Sequence, residues 1–349
     1  MQEKPASQKK PTINDVARLA NVSKKTVSRV LNKSPLTTEV TRSRVEKVIR
    51  ELGFVPNPQA RALALRRNFF IVLFHDNPNA QTVLNFQKGV LDRIKTSDLA
   101  LVVRPVDRHS PEMLDDIAHF LDQQRPLAAL ILPPISEDDR IAQLLRAKNI
   151  AYARIGSAQL DDVQHSVFSN DREAVKSACQ ELIGAGHKSI ALIKGPSGFR
   201  SGAEREQGFR EAMRDAGLAV EERFVVEGNY RLQSGYLAAQ KLLDDDHPPT
   251  AIFASNDEMA AGALHAARER GINVPDDLSL VGFDDSPTAS HLWPPLSTVR
   301  WPIMEMGRVA AQKVALPYLP DGDDADMDYA RLSSEFIARK SVAPPKRDC

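Results

Sequence analysis

Lys24, Lys25, Ser28, Arg29 and Asn32 recur at helical spacing around Val27, Val30 and Leu31. A helix through this stretch, capped by Ser23, buries the three apolar residues and turns the polar ones outward as a cationic face. Lysine and arginine can donate to the O6 and N7 acceptors of guanine, while hydroxyls and amides reach phosphate oxygens. The chemistry on offer is therefore recognition of duplex nucleic acid. The plainer reading of Lys24 and Lys25 is a solvated helix start. Nothing comparable points to catalysis. IKGPSGFRSG fits neither a phosphate loop nor a nucleotide fingerprint, and G-x-S-x-G and H-E-x-x-H do not occur. His75, His109, His119, His165, His187, His247, His265 and His291 are scattered without ligand spacing. The acidic runs at 244–246 and 321–326 read as solvated loops. No enzyme, metal or cofactor is expected.

The elements that must hold the cationic face lie on either side of it. Ile13, Val16, Ala17 and Ala20 make one apolar face of a preceding helix, opened by the capping pair Thr12 and Asp15, with Asn21 and Val22 as the turn. A third helix starts near Thr37 or Thr38, buries Val45, Val48, Ile49 and Leu52, and stops at Gly53. Two helices joined by a short turn with a supporting third describe a helix-turn-helix. Charge agrees: the chain of 349 residues has no net charge, yet residues 1–67 carry 15 Lys+Arg against 5 Asp+Glu, and the rest 31 against 41. A head of +10 is suited to attract DNA and a body of −10 to be repelled by it.

The segment TINDVARLANVSKKTVSRVLNKSPLTTEVTRSRVEKVIRELGFVPNPQARAL resembles the DNA-binding head of the LacI/GalR family of bacterial repressors. DVA, VSKKTVSRVLN, TRSRV and GFVPNPQAR stand at that family's spacing. The resemblance implies phosphate contacts from Thr12, Ser23, Thr26, Ser28, Asn32 and Thr41, and base contacts from Lys24, Lys25 and Arg29. It also implies a hinge helix in FVPNPQARALALRR, capped by Asn57, contacting DNA through Asn57 and Ala60 and wedging Leu63 into the central base step of the minor groove. A helix this short is marginal alone, so it is expected to fold against a dimer mate and DNA. The alternative for Leu63 is packing on the core.

From residue 68 onward apolar strands alternate with amphipathic helices, the pattern of parallel α/β sheets. Strands are read in FFIVLF, ALVVRPV, LAALILP, IAYARIG, SIALIKG, FVVEGN, TAIFAS and LSLVGFD, and the first core helix at 85–95. This amounts to two Rossmann-like subdomains. GHKSIALIKGP, AEREQGFREAMRDAGL, the stretch from FASNDE to VGFDDS, and WPPLSTVRWPIMEMG continue the resemblance, which implies a bilobed periplasmic-binding-protein-like core. The expected organisation is an N-terminal tail (1–10), an all-α three-helix head (11–54), a hinge helix and linker (55–67), and an α/β core (68–343). Lobe 1 takes about 68–167 and 298–327, and lobe 2 about 168–297 and 328–343, so the chain crosses three times.

The resemblance places Arg205, Asn256 and Asp284 as effector-binding residues and Tyr230 as a stacking aromatic. Asn77 and Asn79, after the first core strand, and Arg154 would complete the cleft. Trp301 replaces a more usual polar residue and would floor the site or plug it. For Arg205 and Asp284 the alternative is a salt bridge between lobes. Two arginines suit an anionic ligand, whereas Asp284 suits a neutral mono- or disaccharide, the favoured reading; a nucleobase stays open. The sequence is thus expected to encode a cytoplasmic homodimeric regulator, a repressor binding a pseudo-palindromic operator under control of a small sugar. A sugar sensor acting on a protein partner and an α/β enzyme on sugars are the alternatives. No run of apolar residues is long enough to span a membrane.

Overall fold

The first helix begins where Thr12 and Asp15 satisfy each other: the Asp15 carboxylate accepts from Thr12 N at 3.0 Å and from Thr12 Oγ1 at 2.7 Å. Helix α1 runs Ile13–Leu19. Ser23 opens α2 (Lys24–Leu31), its Oγ accepting from Thr26 N at 3.1 Å. Helix α3 (Glu39–Leu52) is capped by Thr38 and ends at Gly53, which sits at φ 60°. Val16, Ala17, Ala20, Val27, Val30 and Val45 form the core of this head, with Val48, Ile49, Leu52 and Phe54 packed round it. Gly53→Ala forces a β-carbon onto a left-handed residue and is expected to cost about 1 kcal/mol. A urea melt of the head followed by circular dichroism checks this, and an unchanged midpoint contradicts it.

The computed structural model describes residues 11–31, 36–54, 68–319 and 331–346. The N-terminal tail, the hinge segment 55–67, and with them Asn32, Asn57, Ala60 and Leu63, lie outside the described residues. The chain divides into two units, Met1–Asn68 and Phe69–Cys349.

In the second unit, β1 (Phe70–His75), α4 (Ala80–Ile94), β2 (Ala100–Pro105), α5 (Met113–Gln124), β3 (Ala128–Ile131), α6 (Asp139–Ala147), β4 (Ala151–Gly156) and β5 (Ser166–Ser169) build one lobe. The other holds α7 (Asp171–Gly184), β6 (Ile190–Lys194), α8 (Arg200–Asp215), β7 (Val225–Glu227), α9 (Leu232–Leu243), β8 (Ala251–Ala254), α10 (Asp257–Glu269), β9 (Ser279–Asp284), α11 (Pro287–His291) and β10 (Ser297–Arg300). Helix α12 (Ile303–Ala315) returns to pack on α4, β11 (Arg331–Leu332) pairs with β5, and β12 (Glu335–Ile337) pairs with β10. The sheet orders are β11-β5-β4-β3-β1-β2 and β12-β10-β9-β8-β6-β7, parallel throughout except at β12. Helices on both faces explain why the central strands are continuous apolar runs: Ile71 to Phe74 and Ala251 to Ala254 are fully buried.

Three differences from the sequence expectation have plain causes. The crossings fall near 170, 301–302 and 333–334, a few residues later than read at each, because the short strands β5, β10 and β11 stay with the lobe they leave. Strands β5, β10, β11 and β12 were not expected at all, being two to four residues long and rich in polar side chains. Helix α4 begins at Ala80 rather than 85, because the Asn79 side chain caps it by accepting from Gln81 N and Thr82 N.

Candidate functional site

On the head, Lys24 and Lys25 are exposed and Thr26, Ser28 and Arg29 half-buried along α2. The hydroxyls fix the helix starts: Ser23 Oγ and Thr26 Oγ1 lie 2.9 Å apart, and Thr38 Oγ1 donates to Thr41 Oγ1 at 3.0 Å. Helix starts held this way turn the first residues of α2 outward, the geometry a reading helix needs at a major groove.

In the core, the strand orders β2-β1-β3-β4-β5 and β7-β6-β8-β9-β10 each reverse direction beside their first strand. Such switch points leave a crevice at the carboxyl ends of the strands. A cavity with about 470 Å³ of atom-free space lies there, lined by both lobes. Asn77, Asn79, Arg205, Tyr230, Asn256, Asp284 and Trp301 all line it.

Their roles are more constrained than their types suggest. Asn77 Nδ2 donates to Pro133 O at 3.1 Å, tying the loop after β1 to the loop after β3. Asn79 caps α4 with Oδ1 and points Nδ2 at Asp284 Oδ2, 3.5 Å away on the other lobe. Asn256 caps α10, accepting from Met259 N at 2.9 Å, and donates to Tyr230 O at 2.9 Å. Arg205 forms no bridge to Asp284: its Nε pairs with Asp171 Oδ2 at 2.8 Å, its Nη1 donates to Ser255 O at 2.6 Å, and its guanidinium stacks 3.5 Å over Phe283. Both members of that ion pair are buried, at 4% and 0% exposure. Trp301 Nε1 donates to Ser169 Oγ at 2.9 Å, so the ring forms a wall beside the crossing. Tyr230 sits at φ 65° with its hydroxyl 3.0 Å from Ser201 Oγ. A β-carbon on Gly195 would meet that hydroxyl at 2.2 Å, so only glycine leaves the ring its place.

The end of β9 is strained, with Asp284 at φ 115° and Asp285 at φ 52°. Such strain is held where the surroundings over-determine it, characteristically at functional sites. Asp257 supplies the restraint, accepting from Thr298 Oγ1 at 2.6 Å and Ser286 N at 2.7 Å. Burial pushes the Asp284 carboxyl well above the usual carboxylate range, against the pull of Arg205. Asp257, also desolvated, is pushed up to about 6.

Arg154 is a correction. Its side chain is buried below the cleft, with Nε donating to Ser136 O at 2.6 Å and Nη1 paired with Asp139 at 2.8 Å. It lies two residues before the end of β4, whereas the residues that line the cavity stand at or beyond the ends of their strands. Ser157, just past that end, lines the cavity instead; it is 6% exposed and its Oγ has no hydrogen-bond partner. Thr82, Pro133, Phe199 and Ser201 also line the wall and were not read from sequence. Their signal was position after a strand, not residue type. Among the described residues, Asp161, Asp162 and His165 bring three donors together, but Asp161 is already held by Arg146 and by Tyr152 Oη at 2.9 Å. No helix among them is long and apolar enough to cross a membrane.

Comparison with known proteins bears on both units. The family described as bacterial regulatory proteins, lacI family, matches residues 12–57, and the periplasmic binding protein-like domain matches residues 179–342. The chain is 34% identical over 338 residues to the probable HTH-type transcriptional repressor ExuR of Bacillus subtilis (strain 168), covering 95% of this chain and 98% of that one. Among solved structures, it resembles a complex of the transcriptional regulator CelR with cellobiose at 30% identity and TM-score 0.69, over 95% and 99% of the two chains. It also resembles the lac repressor dimer bound to operator and the anti-inducer ONPF at 27% identity and TM-score 0.73, over 96% and 100%.

Proposed function

This chain belongs to the LacI family of bacterial regulatory proteins and is a DNA-binding transcriptional regulator, and on that premise we propose that it is a cytoplasmic homodimeric repressor whose operator affinity is set by a small neutral sugar held between its lobes. In this reading Lys24, Lys25 and Arg29 reach base edges. Thr12, Ser23, Thr26, Ser28, Asn32 and Thr41 position the head on phosphates, and Asn57, Ala60 and Leu63 act in the minor groove. Two heads imply two half-sites and a pseudo-palindromic operator. The ligand is bound and released unchanged.

The observation that carries the sugar reading is the charge balance of the cavity. Arg205, the one cation on its wall among the described residues, is neutralised by Asp171, while Asp257 and Asp284 lie close by. Among the described residues, an anion entering this space meets no uncommitted positive charge. A polyhydroxylated neutral ligand meets the Asp284 carboxyl, the unpartnered Ser157 hydroxyl, and the faces of Tyr230, Phe199 and Trp301. Carboxyls and amides matched to hydroxyls, with aromatic faces for the apolar side of a ring, are what a saccharide site requires.

A thermal-shift screen of the purified protein against neutral mono- and disaccharides, sugar phosphates, uronates and nucleobases tests this. Stabilisation by a neutral saccharide, lost in Asp284→Ala, is the expected result. Stabilisation only by an anion or a nucleobase would replace the ligand class, and an intact response in Asp284→Ala would remove Asp284 from the site. A saccharide that binds without changing DNA affinity would favour a sensor acting on a protein partner.

A further inference from the structure

We propose that Glu137, Arg108 and the Phe199–Arg200 turn form a latch that closes the mouth of the cavity on the side away from the crossings and gates passage of the effector. The proposal deepens the cavity reading above and rests on it. The three crossings leave from β5, β10 and β11, at one edge of the two sheets, whereas β2 and β7 are the opposite edges. The latch residues follow strands on that far side: Arg108 comes after β2, Glu137 after β3, and Phe199 and Arg200 after β6. Contacts there oppose lobe opening with the longest lever.

The contact is direct. The Glu137 carboxylate, from the first lobe, accepts from Arg200 N with both oxygens, at 3.1 and 3.0 Å, where α8 of the second lobe begins. A carboxylate at a helix start is favoured by the exposed amide groups and by the helix dipole. Beside it the Arg108 guanidinium lies 4.4 Å over the Phe199 ring. Each half is held in its own lobe before the two meet. Asp76 Oδ2 accepts from Arg108 N at 3.3 Å, and Glu227 accepts from Ser197 N at 3.1 Å.

The latch also reaches the ligand wall. Phe199 lines the cavity and packs edge-on against Tyr230 at 5.7 Å, and Tyr230 lies 5.9 Å from the Arg205 guanidinium. Opening the mouth therefore carries Phe199, together with Tyr230, away from the first-lobe wall of Asn77, Asn79 and Ser157 that the effector would also touch. Bound effector and closed latch favour the same lobe arrangement, so each stabilises the other.

The test needs no effector. The chain has two tryptophans; Trp293 is 73% exposed and Trp301, on the cavity wall, is 9% exposed. In full-length Trp293→Phe protein, quenching of Trp301 by acrylamide reports access to the cavity. Glu137→Ala in this background is expected to lower the ratio of closed to open molecules by roughly tenfold and so raise the quenching constant, with Glu137→Gln between it and the parent. Arg108→Ala is expected to raise it as well. Quenching equal to the parent in both Glu137→Ala and Arg108→Ala overturns the latch. Because the readout is ligand-free, failure of the saccharide reading would appear in the thermal-shift screen and not here.

Discussion

Raising salt from about 50 to about 200 mM is expected to weaken DNA binding by this protein roughly 10⁴-fold. If each of two heads neutralises about four phosphates, about eight counterions leave, and log K falls against log salt with a slope near −7. The head carries the charge for this, at 15 basic against 5 acidic residues, and the body carries the opposite sign. A mobility-shift titration on an operator fragment at several salt concentrations gives the slope directly. A slope near zero would remove the cationic face of α2 as the DNA contact. A slope near half the expected value would point to one head bound, and so against the dimer.

The second large effect concerns the centre of the cavity. Arg205→Ala leaves the Asp171 carboxylate, 0% exposed, without its partner. Breaking a buried pair from one side costs about 3–5 kcal/mol, because the remaining charge is stranded away from water. The variant should melt well below the parent in a calorimetric or urea experiment on the full chain. Removing both charges, as Arg205→Met with Asp171→Leu, should recover much of that loss, since neither charge of the pair is then left stranded. Neither variant should respond to effector, because the guanidinium that stacks on Phe283 and faces the cavity is gone in both. A single variant as stable as the parent would show that Arg205 and Asp171 are not a buried pair in solution.

These two predictions differ in where their information comes from. The salt slope follows from composition and from the helical spacing of Lys24, Lys25, Ser28 and Arg29, which short-range periodicity makes legible. The same holds for the three head helices, whose caps at Thr12, Ser23 and Thr38 are local pairings three residues apart. The alternation of strands and helices in the core is legible for the same reason. The short strands at the crossings were not, because two to four residues carry no period.

The cavity shows the limit more sharply. Residue type and the family's motifs brought Arg205, Asn256 and Asp284 forward, and all three line the wall. What each touches was not readable. Arg205 could have bridged to Asp284 by charge alone, and instead takes Asp171 from the neighbouring helix α7. Asn79 and Asn256 are helix caps as well as wall residues. Arg154 has the right chemistry for a cleft but lies two residues before the end of its strand, and Ser157, a less conspicuous side chain, stands at the rim.

The sequence by itself determined which of the longer segments are helices and strands, where the positive charge lies, and which residue types are available for a small polar ligand. Those properties depend on neighbours within a few positions. The tertiary structure alone decided which carboxylate neutralises Arg205, which asparagine meets Asp284 across 205 positions of chain, and which loops close the mouth of the cavity. These pairings follow from the order in which strands are laid into the two sheets, and that order is set by packing the whole core rather than by any local pattern.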